Sequence, residues 1–210
     1  TNASRVDVGG VNVWSSNSGG ATGSWTCTGC WIGTTFPSVY LKADHHDLEY
    51  SSTGQLYTAS DGGVFRYNST SWIDLNNQRN IAQIYKMGAS GLTANKWISG
   101  HQDNGTGVFT NGTYQASYAG DGMDCFIDRT NDQNLFASTP YGSFVRSTNG
   151  GSSYSNATSG ITGSGAWVTP WKQDPVTASR LYAGRSQMFV SNNLGVSWSQ
   201  IGTTGGSGAI

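Results

Sequence analysis

One short pattern recurs in this chain: a small polar residue, then Asn, Gly, Ser and an aromatic residue at fixed offsets. It reads Ser147-Thr148-Asn149-Gly150-Gly151-Ser152-Ser153-Tyr154 and again Ser191-Asn192-Asn193-Leu194-Gly195-Val196-Ser197-Trp198, with a degraded copy at Asn68-Ser69-Thr70-Ser71-Trp72. The complete copies begin 44 residues apart, the length of one four-stranded β-propeller blade. Such a turn does structural work. Its Asn side chain bonds nearby backbone amides, its Gly takes a positive φ, and its aromatic residue packs between strands.

The segments between the turns keep one internal order. An apolar strand leads into an Asp-rich or Pro-containing turn, then a Leu-Tyr type strand, then a third strand ending in the repeated turn, then a fourth. Second strands begin near Leu56, Trp97, Leu135 and Leu181, spaced 41, 38 and 46 residues apart, and their alternation suits sheets packed between neighbours. The expectation is an all-β propeller with four four-stranded blades at about 40–76, 80–118, 119–157 and 165–202. Ahead of them, Gly10-Val11-Asn12-Val13-Trp14 and Gly23-Ser24-Trp25-Thr26 read as the third and fourth strands of a partial blade over 6–31. The tail 203–210, rich in Gly, Ser and Thr, reads as flexible. Propellers hide strand edges by closing a ring, so four and a half blades read as a segment of a larger propeller, or as one that self-associates through open edges.

Composition agrees with many short strands. The 210 residues include 30 glycines and 12% aromatics, while only 11% are charged, against about 25% in an average soluble protein. A net charge of −1 sets up no field for nucleic acid or an anionic membrane, and no run approaches the roughly 20 apolar residues of a membrane span. The chain opens on neither Met nor a basic-then-apolar leader and reads as a mature or excised piece. Cys27-Thr28-Gly29-Cys30 lacks the second pair of a structural zinc site and the βαβ setting of a redox motif. It reads as a loop pair, oxidised or incidental, and Cys125 as a small buried hydrophobe. Five Asn-x-Ser/Thr sequons, at Asn2, Asn68, Asn104, Asn111 and Asn156, are expected by chance in such a composition and are assigned no role.

A more specific set begins at Asp44-His45-His46-Asp47-Leu48 and continues with Ser60-Asp61-Gly62-Gly63, His101-Gln102-Asp103-Asn104-Gly105-Thr106 and Gly120-Asp121-Gly122-Met123-Asp124-Cys125. In that order, over about residues 6–154, it resembles secreted bacterial BNR/Asp-box propellers, related to the xyloglucanase-type and sortilin-type propellers. The resemblance implies the propeller fold and a secreted or cell-surface location. His101 departs from it, standing where a smaller residue is expected.

The repeat order also places a site. In an up-and-down blade, strand one starts and strand two ends at the same edge, nearest the propeller axis. Asp44, His45, His46 and Asp47 begin one first strand, and Asp121 and Asp124 begin another. Asp61 ends a second strand, and Gln102, Asp103 and Asn104, next after His101, follow another. All are therefore expected at one rim of a central channel, with the repeated turns at the other.

Three chemistries fit that rim. In the first, Asp and Asn cap strand ends and the His pair satisfies turn backbone groups. In the second, Asp61, Asp103 and Asp121 with carbonyls hold Ca²⁺; His45, His46 and His101 would favour a transition metal such as Zn²⁺, without supporting spacing. In the third, two of Asp47, Asp61, Asp103, Asp121 and Asp124 act as acid and base in glycoside hydrolysis, with Trp97, Trp167, Trp171 and Tyr118 as stacking platforms. The carboxylate-binding arginine cluster of a sialidase is not evident, since Arg66 and Arg146 lead into the repeated turns.

The leading functional expectation is a non-catalytic binding or assembly module of a secreted or surface protein, with a glycan or protein ligand. Asp61, Asp103 and Asp121 are its candidate catalytic residues under the alternative, a polysaccharide-active hydrolase. His45, His46, Asp47, His101, Gln102, Asn104 and Asp124 are its candidate binding residues. Peptide recognition in the manner of sortilin-type propellers is the third option. Calcium is the candidate cofactor.

Overall fold

The computed structural model describes residues 4–31, 41–76 and 82–202; the expected tail 203–210 lies outside them. The chain divides into two compact units, Thr1–Ile81 and Ala82–Ile210. In the first, β1 (Val6–Gly9), β2 (Val13–Ser16) and β3 (Trp25–Gly29) form a three-stranded sheet, and β4 (His45–Tyr50), β5 (Leu56–Ser60), β6 (Gly63–Tyr67) and β7 (Trp72–Asp74) a four-stranded one. The second unit holds three four-stranded sheets. They are β8 (Ile84–Ala89), β9 (Lys96–His101), β10 (Gly105–Thr110) and β11 (Thr113–Tyr118); β12 (Phe126–Ile127), β13 (Leu135–Thr139), β14 (Ser143–Ser147) and β15 (Ser155–Asn156); and β16 (Trp171–Gln173), β17 (Leu181–Gly184), β18 (Met188–Ser191) and β19 (Ser199–Ile201).

Every sheet is an antiparallel meander in chain order, the strand order of a propeller blade. The architecture is that of four complete blades and a partial N-terminal one. That partial blade has three strands rather than the two expected: Val6–Gly9 pairs with β2. Its four residues, Val-Asp-Val-Gly, are too short to stand out from a sequence so rich in Gly and Ser.

Alternation explains how blades of the second unit pack. On β13 and β14, Leu135, Ala137 and Val145 join Ile98 and Val108 of the preceding blade in one core cluster. Their neighbours Phe136 and Phe144 join Trp171, Leu181, Ala183, Phe189 and Trp198 of the following blade in another. The period of two thus sends successive side chains to opposite sheet faces, both buried. In the first unit Val13, Leu41, Leu56, Phe65 and Trp72 make the corresponding cluster.

The repeated turn works as its sequence implies. Ser147 Oγ accepts the Asn149 and Gly151 amides at 3.2 and 2.9 Å and donates to Asn149 Oδ1 at 2.8 Å. Asn149 Oδ1 also accepts the Ser153 amide at 3.0 Å, and its Nδ2 donates to Ser153 Oγ at 2.9 Å. Ser191, Asn193, Gly195 and Ser197 repeat all five bonds. Asn68 Oδ1, in the degraded copy, keeps the amide bond from the Ser before the aromatic residue, Ser71, and adds one from Thr70.

A fourth turn of this kind went unrecognised in the sequence. Ser16 Oγ accepts the Ser18 and Gly20 amides, both at 3.1 Å, meets Ser24 Oγ at 2.6 Å, and Trp25 follows. A two-residue insertion before Ser24, and Ser18 in place of Asn, hide it.

In three of these turns the closing aromatic residue ties its blade to the one before. Trp72 Nε1 donates to Thr28 O at 2.7 Å, Trp198 Nε1 to Ala157 O at 2.7 Å, and Tyr154 hydroxyl meets Ser117 Oγ at 3.0 Å. Each bond gives a buried indole or phenol its partner while the ring fills the space between sheets.

Candidate functional site

Two blades carry the same irregularity at the edge where strand one begins. In the β4–β5 pairing, His45 faces Ser60 and Asp47 faces Ala59, so His46 is an extra residue, a β-bulge. In the β8–β9 pairing, Ile84 faces His101 and Lys86 faces Gly100, so Tyr85 is the extra residue. A bulge re-aims its side chain and bends the strand. In both blades the bulged side chain bonds the first residue after strand two. His46 Nε2 donates to Asp61 Oδ1 at 2.6 Å, and Tyr85 hydroxyl donates to Gln102 Oε1 at 2.8 Å.

In the second unit this pair extends across three blades. Trp167 Nε1 donates to Tyr85 hydroxyl at 3.1 Å, and Tyr141 meets Trp167 edge-on with centroids 5.4 Å apart. Tyr141 is 59% and Trp167 41% exposed. Tyr141 also sits at φ +62°, a conformation that costs a non-Gly residue free energy and that clusters at functional sites. The strain is held in place. The Tyr141 amide donates to Trp167 O at 3.3 Å, and Arg185 donates to the Gly142 and Gly163 carbonyls on either side of the loop. A Cβ on Gly165 would collide with the Thr169 side chain and lie 3.0 Å from Tyr141 O, so the loop carrying Trp167 packs closely only because Gly is there.

The sequence-expected residues fall into distinct roles. Gln102, Asp103 and Asn104 form the turn after β9: Asp103 takes φ +59°, and its amide donates to Asp121 Oδ1 at 2.7 Å. Asn104 Nδ2 donates to Gln102 O at 3.1 Å. The structure thus brings Asp103 and Asp121 together, with one carboxylate binding the other residue's backbone. Asp124 is buried, and Lys172 Nζ lies 3.2 Å from its Oδ1. His101 is buried too; its Nε2 meets Ser99 Oγ at 2.6 Å and its ring stacks on Tyr114. Burial lowers its pKa.

In the first unit, Asp47 is exposed, and its carbonyl accepts the Thr58 hydroxyl at 3.0 Å. That donation uses the only Thr58 hydroxyl hydrogen, so His45 Nδ1 must donate to Thr58 Oγ1 at 2.8 Å. His45 Nε2 then carries the lone pair, buried and without a hydrogen-bond partner. Burial, ahead of the opposing Asp44 charge, lowers its pKa. The His46 side chain is 68% exposed.

Among the described residues, no three His, Cys, Asp or Glu side chains gather as a metal-binding group. Of the four aromatic platforms named from sequence, Trp167 is exposed, whereas Trp171 is core, Trp97 stacks on Phe109 and Tyr118 packs on Tyr154.

No protein-family profile and no curated protein matches the chain. Among solved structures it is similar to a GH74 enzyme of Niastella koreensis, at 18% identity and TM-score 0.47, over 94% of this chain and 28% of that one. It is similar to the GH74 xyloglucanase of Xanthomonas campestris at 15% identity and TM-score 0.46, over 92% and 36%. YCF48 bound to D1 peptide aligns at 12% identity and TM-score 0.43, over 95% and 64%. The chain therefore spans about a third or less of the two GH74 enzymes. Similarity at this level says nothing of ligand or reaction.

Tyr85 and Tyr141 were the functional candidates that sequence reasoning missed. Gly142 after Tyr141 is the kind of residue that marks a turn, but nothing in the sequence marks a bulge: one extra residue leaves the strand's composition unchanged and alters only its register.

Proposed function

We propose that the chain is a binding module of an exported protein and that it holds a neutral glycan on the second unit, without cleaving it. The hydrogen-bonded row Gln102–Tyr85–Trp167, with Tyr141 edge-on at its end, carries this reading. A sugar ring offers C–H faces to aromatic rings and hydroxyls to amides and phenols, and this row supplies both kinds of group at an exposed surface.

The acids favour binding over hydrolysis. Glycoside cleavage needs two carboxyl groups flanking one bond. Asp121 is engaged with the Asp103 amide, and Asp124 is buried against Lys172. Cys27 and Cys30 lie within disulfide reach, their Cα atoms 6.2 Å apart, and a bond between them would suit an oxidising, extracellular setting. Among the described residues no helix is long and apolar enough to cross a membrane.

Retention on immobilised neutral polysaccharides, with release of reducing ends measured in the same samples, tests the reading. Retention without release, lost on Trp167→Ala, is the expected result. Release abolished by Asp103→Asn or Asp121→Asn would replace binding by hydrolysis, and failure to be retained by any neutral glycan would end the proposal.

A further inference from the structure

A polar pocket lies in the first unit, at the edge where the repeated turns sit. Arg5, Tyr50, Gly54, Gln55, Leu56, Tyr67, Asn68 and Ser69 line a pocket of about 130 Å³. Its walls come from the residue before β1, the β4–β5 connection and the degraded repeated turn after β6. That volume falls below the roughly 300–1,000 Å³ of a site for drug-sized ligands. The pocket suits one small ring or polyol.

Its charge is balanced from behind. The Arg5 guanidinium donates twice to Asp7, at 3.0 Å each, and lies 5.4 Å above the Tyr67 ring. Asp7 also accepts the Ser15 and Tyr50 hydroxyls, and its side chain is only 2% exposed. Burial pushes the Asp7 pKa up, but the bonds from Arg5, Ser15 and Tyr50 outweigh it and hold the carboxyl below its ordinary range. Asp7 therefore stays ionised and cancels the Arg5 charge.

What remains facing the pocket is mostly neutral. Arg5 Nε and Nη2 are engaged by Asp7 and Ser15, leaving Nη1 as a donor. Asn68 Oδ1 caps its turn, leaving Nδ2. Among the described residues, the Gln55 side-chain amide and the Tyr67 and Ser69 hydroxyls have no hydrogen-bond partner, the Gln55 backbone amide being the one that donates to Ser51 Oγ. Five side chains with hydrogen-bonding capacity thus surround Leu56. We propose that this pocket binds a single neutral sugar residue, free or at the end of an oligosaccharide, through its hydroxyls. An anionic sugar gains little there, because Asp7 already satisfies Arg5, the one cation among the described residues that line the pocket. The site is built from residues of the first unit alone and does not depend on the glycan reading above.

Titration of the ¹⁵N-labelled 210-residue chain with glucose, galactose, xylose and glucuronate, followed by amide NMR, tests the assignment. One neutral sugar should give saturable shifts at Arg5, Gln55 and Tyr67 to Ser69. Gln55→Ala and Tyr67→Phe, which remove no bond that holds the fold, should each weaken it about three- to tenfold. A cello-oligosaccharide arm separates a free sugar from a chain end by which binds more tightly. Unsaturated or absent shifts at these residues, unchanged affinity in both variants, or a tenfold preference for glucuronate would each overturn the proposal. Loss of rim binding in Trp167→Ala would leave these shifts untouched, so the two readings fail separately.

Discussion

Tyr85 is the extra residue of a β-bulge, and its hydroxyl donates to Gln102 Oε1 at 2.8 Å while accepting Trp167 Nε1 at 3.1 Å. One phenol therefore joins two blades of the second unit at an exposed edge. His46 and Asp61 occupy the same two positions in the β4–β5 blade. The same backbone device presents an imidazole–carboxylate pair in one unit and a phenol–amide pair in the other. Conserving the register and changing the side chains is how a repeat scaffold varies its surface chemistry.

The repeated turn makes a stability prediction. Asn193 accepts two bonds through Oδ1 and donates one through Nδ2. Asn193→Ala should cost about 2 kcal/mol, read by urea denaturation. Asn193→Asp should cost well under half of that, because the oxygen acceptors stay and Ser197 hydroxyl can turn to donate.

Inter-blade ties should be separable from packing. Trp198→Phe keeps a ring between the sheets but leaves the buried Ala157 carbonyl without its donor; the expected loss is about 2 kcal/mol. Tyr154→Phe removes only a hydroxyl pair with Ser117 and should cost about 1 kcal/mol. Equal losses would mean that ring fit alone sets the effect.

Acid should weaken the fold in two stages. Burial lowers the His45 and His101 pKa values, so below about pH 6.5 the unfolded chain binds protons that the folded one excludes. Stability is full above that pH and falls as pH drops toward the folded values. Asp128 behaves as a carboxylate: burial pushes it up, but bonds from Asn134, Gln173 and Thr130 hold it low. Its contribution is present above about pH 4 and is lost below it. Urea midpoints from pH 8 to pH 3 should show both stages, and His101→Gln should shrink the first.

Cys125 should be inert in the folded chain. It is 1% exposed, and burial, reinforced by the Asp124 charge, pushes its thiol up to about 12. Alkylation by iodoacetamide at pH 8, followed by mass spectrometry, should label it only in denaturant. Rapid labelling of the native chain would show that the core around it opens.

Fold was more legible than site, for a physical reason. Blades announce themselves through the period of two and through turns whose Asn, Gly and Ser have local jobs, so Leu56, Leu135 and Leu181 open strands where expected. A site depends on which way a side chain leaves the backbone. Chain order placed Asp61, Gln102, Asp103 and Asp121 beside strand ends, where they are. It equally placed Asp124 and His101 there, and these turn inward to Lys172 and to Ser99 and Tyr114. Tyr85 escaped notice because a bulge is a register event without a residue signature.

The most direct measurement is the Trp167 indole N–H resonance, assigned with Trp167→Phe, during titration with a neutral oligosaccharide. The expected result is a saturable shift of that one signal, with affinity reduced about tenfold in Tyr85→Phe, which loses both bonds of the row while the fold stays intact. A Trp167 signal unmoved at saturating oligosaccharide, or a shift that Tyr85→Phe leaves unchanged, would contradict it.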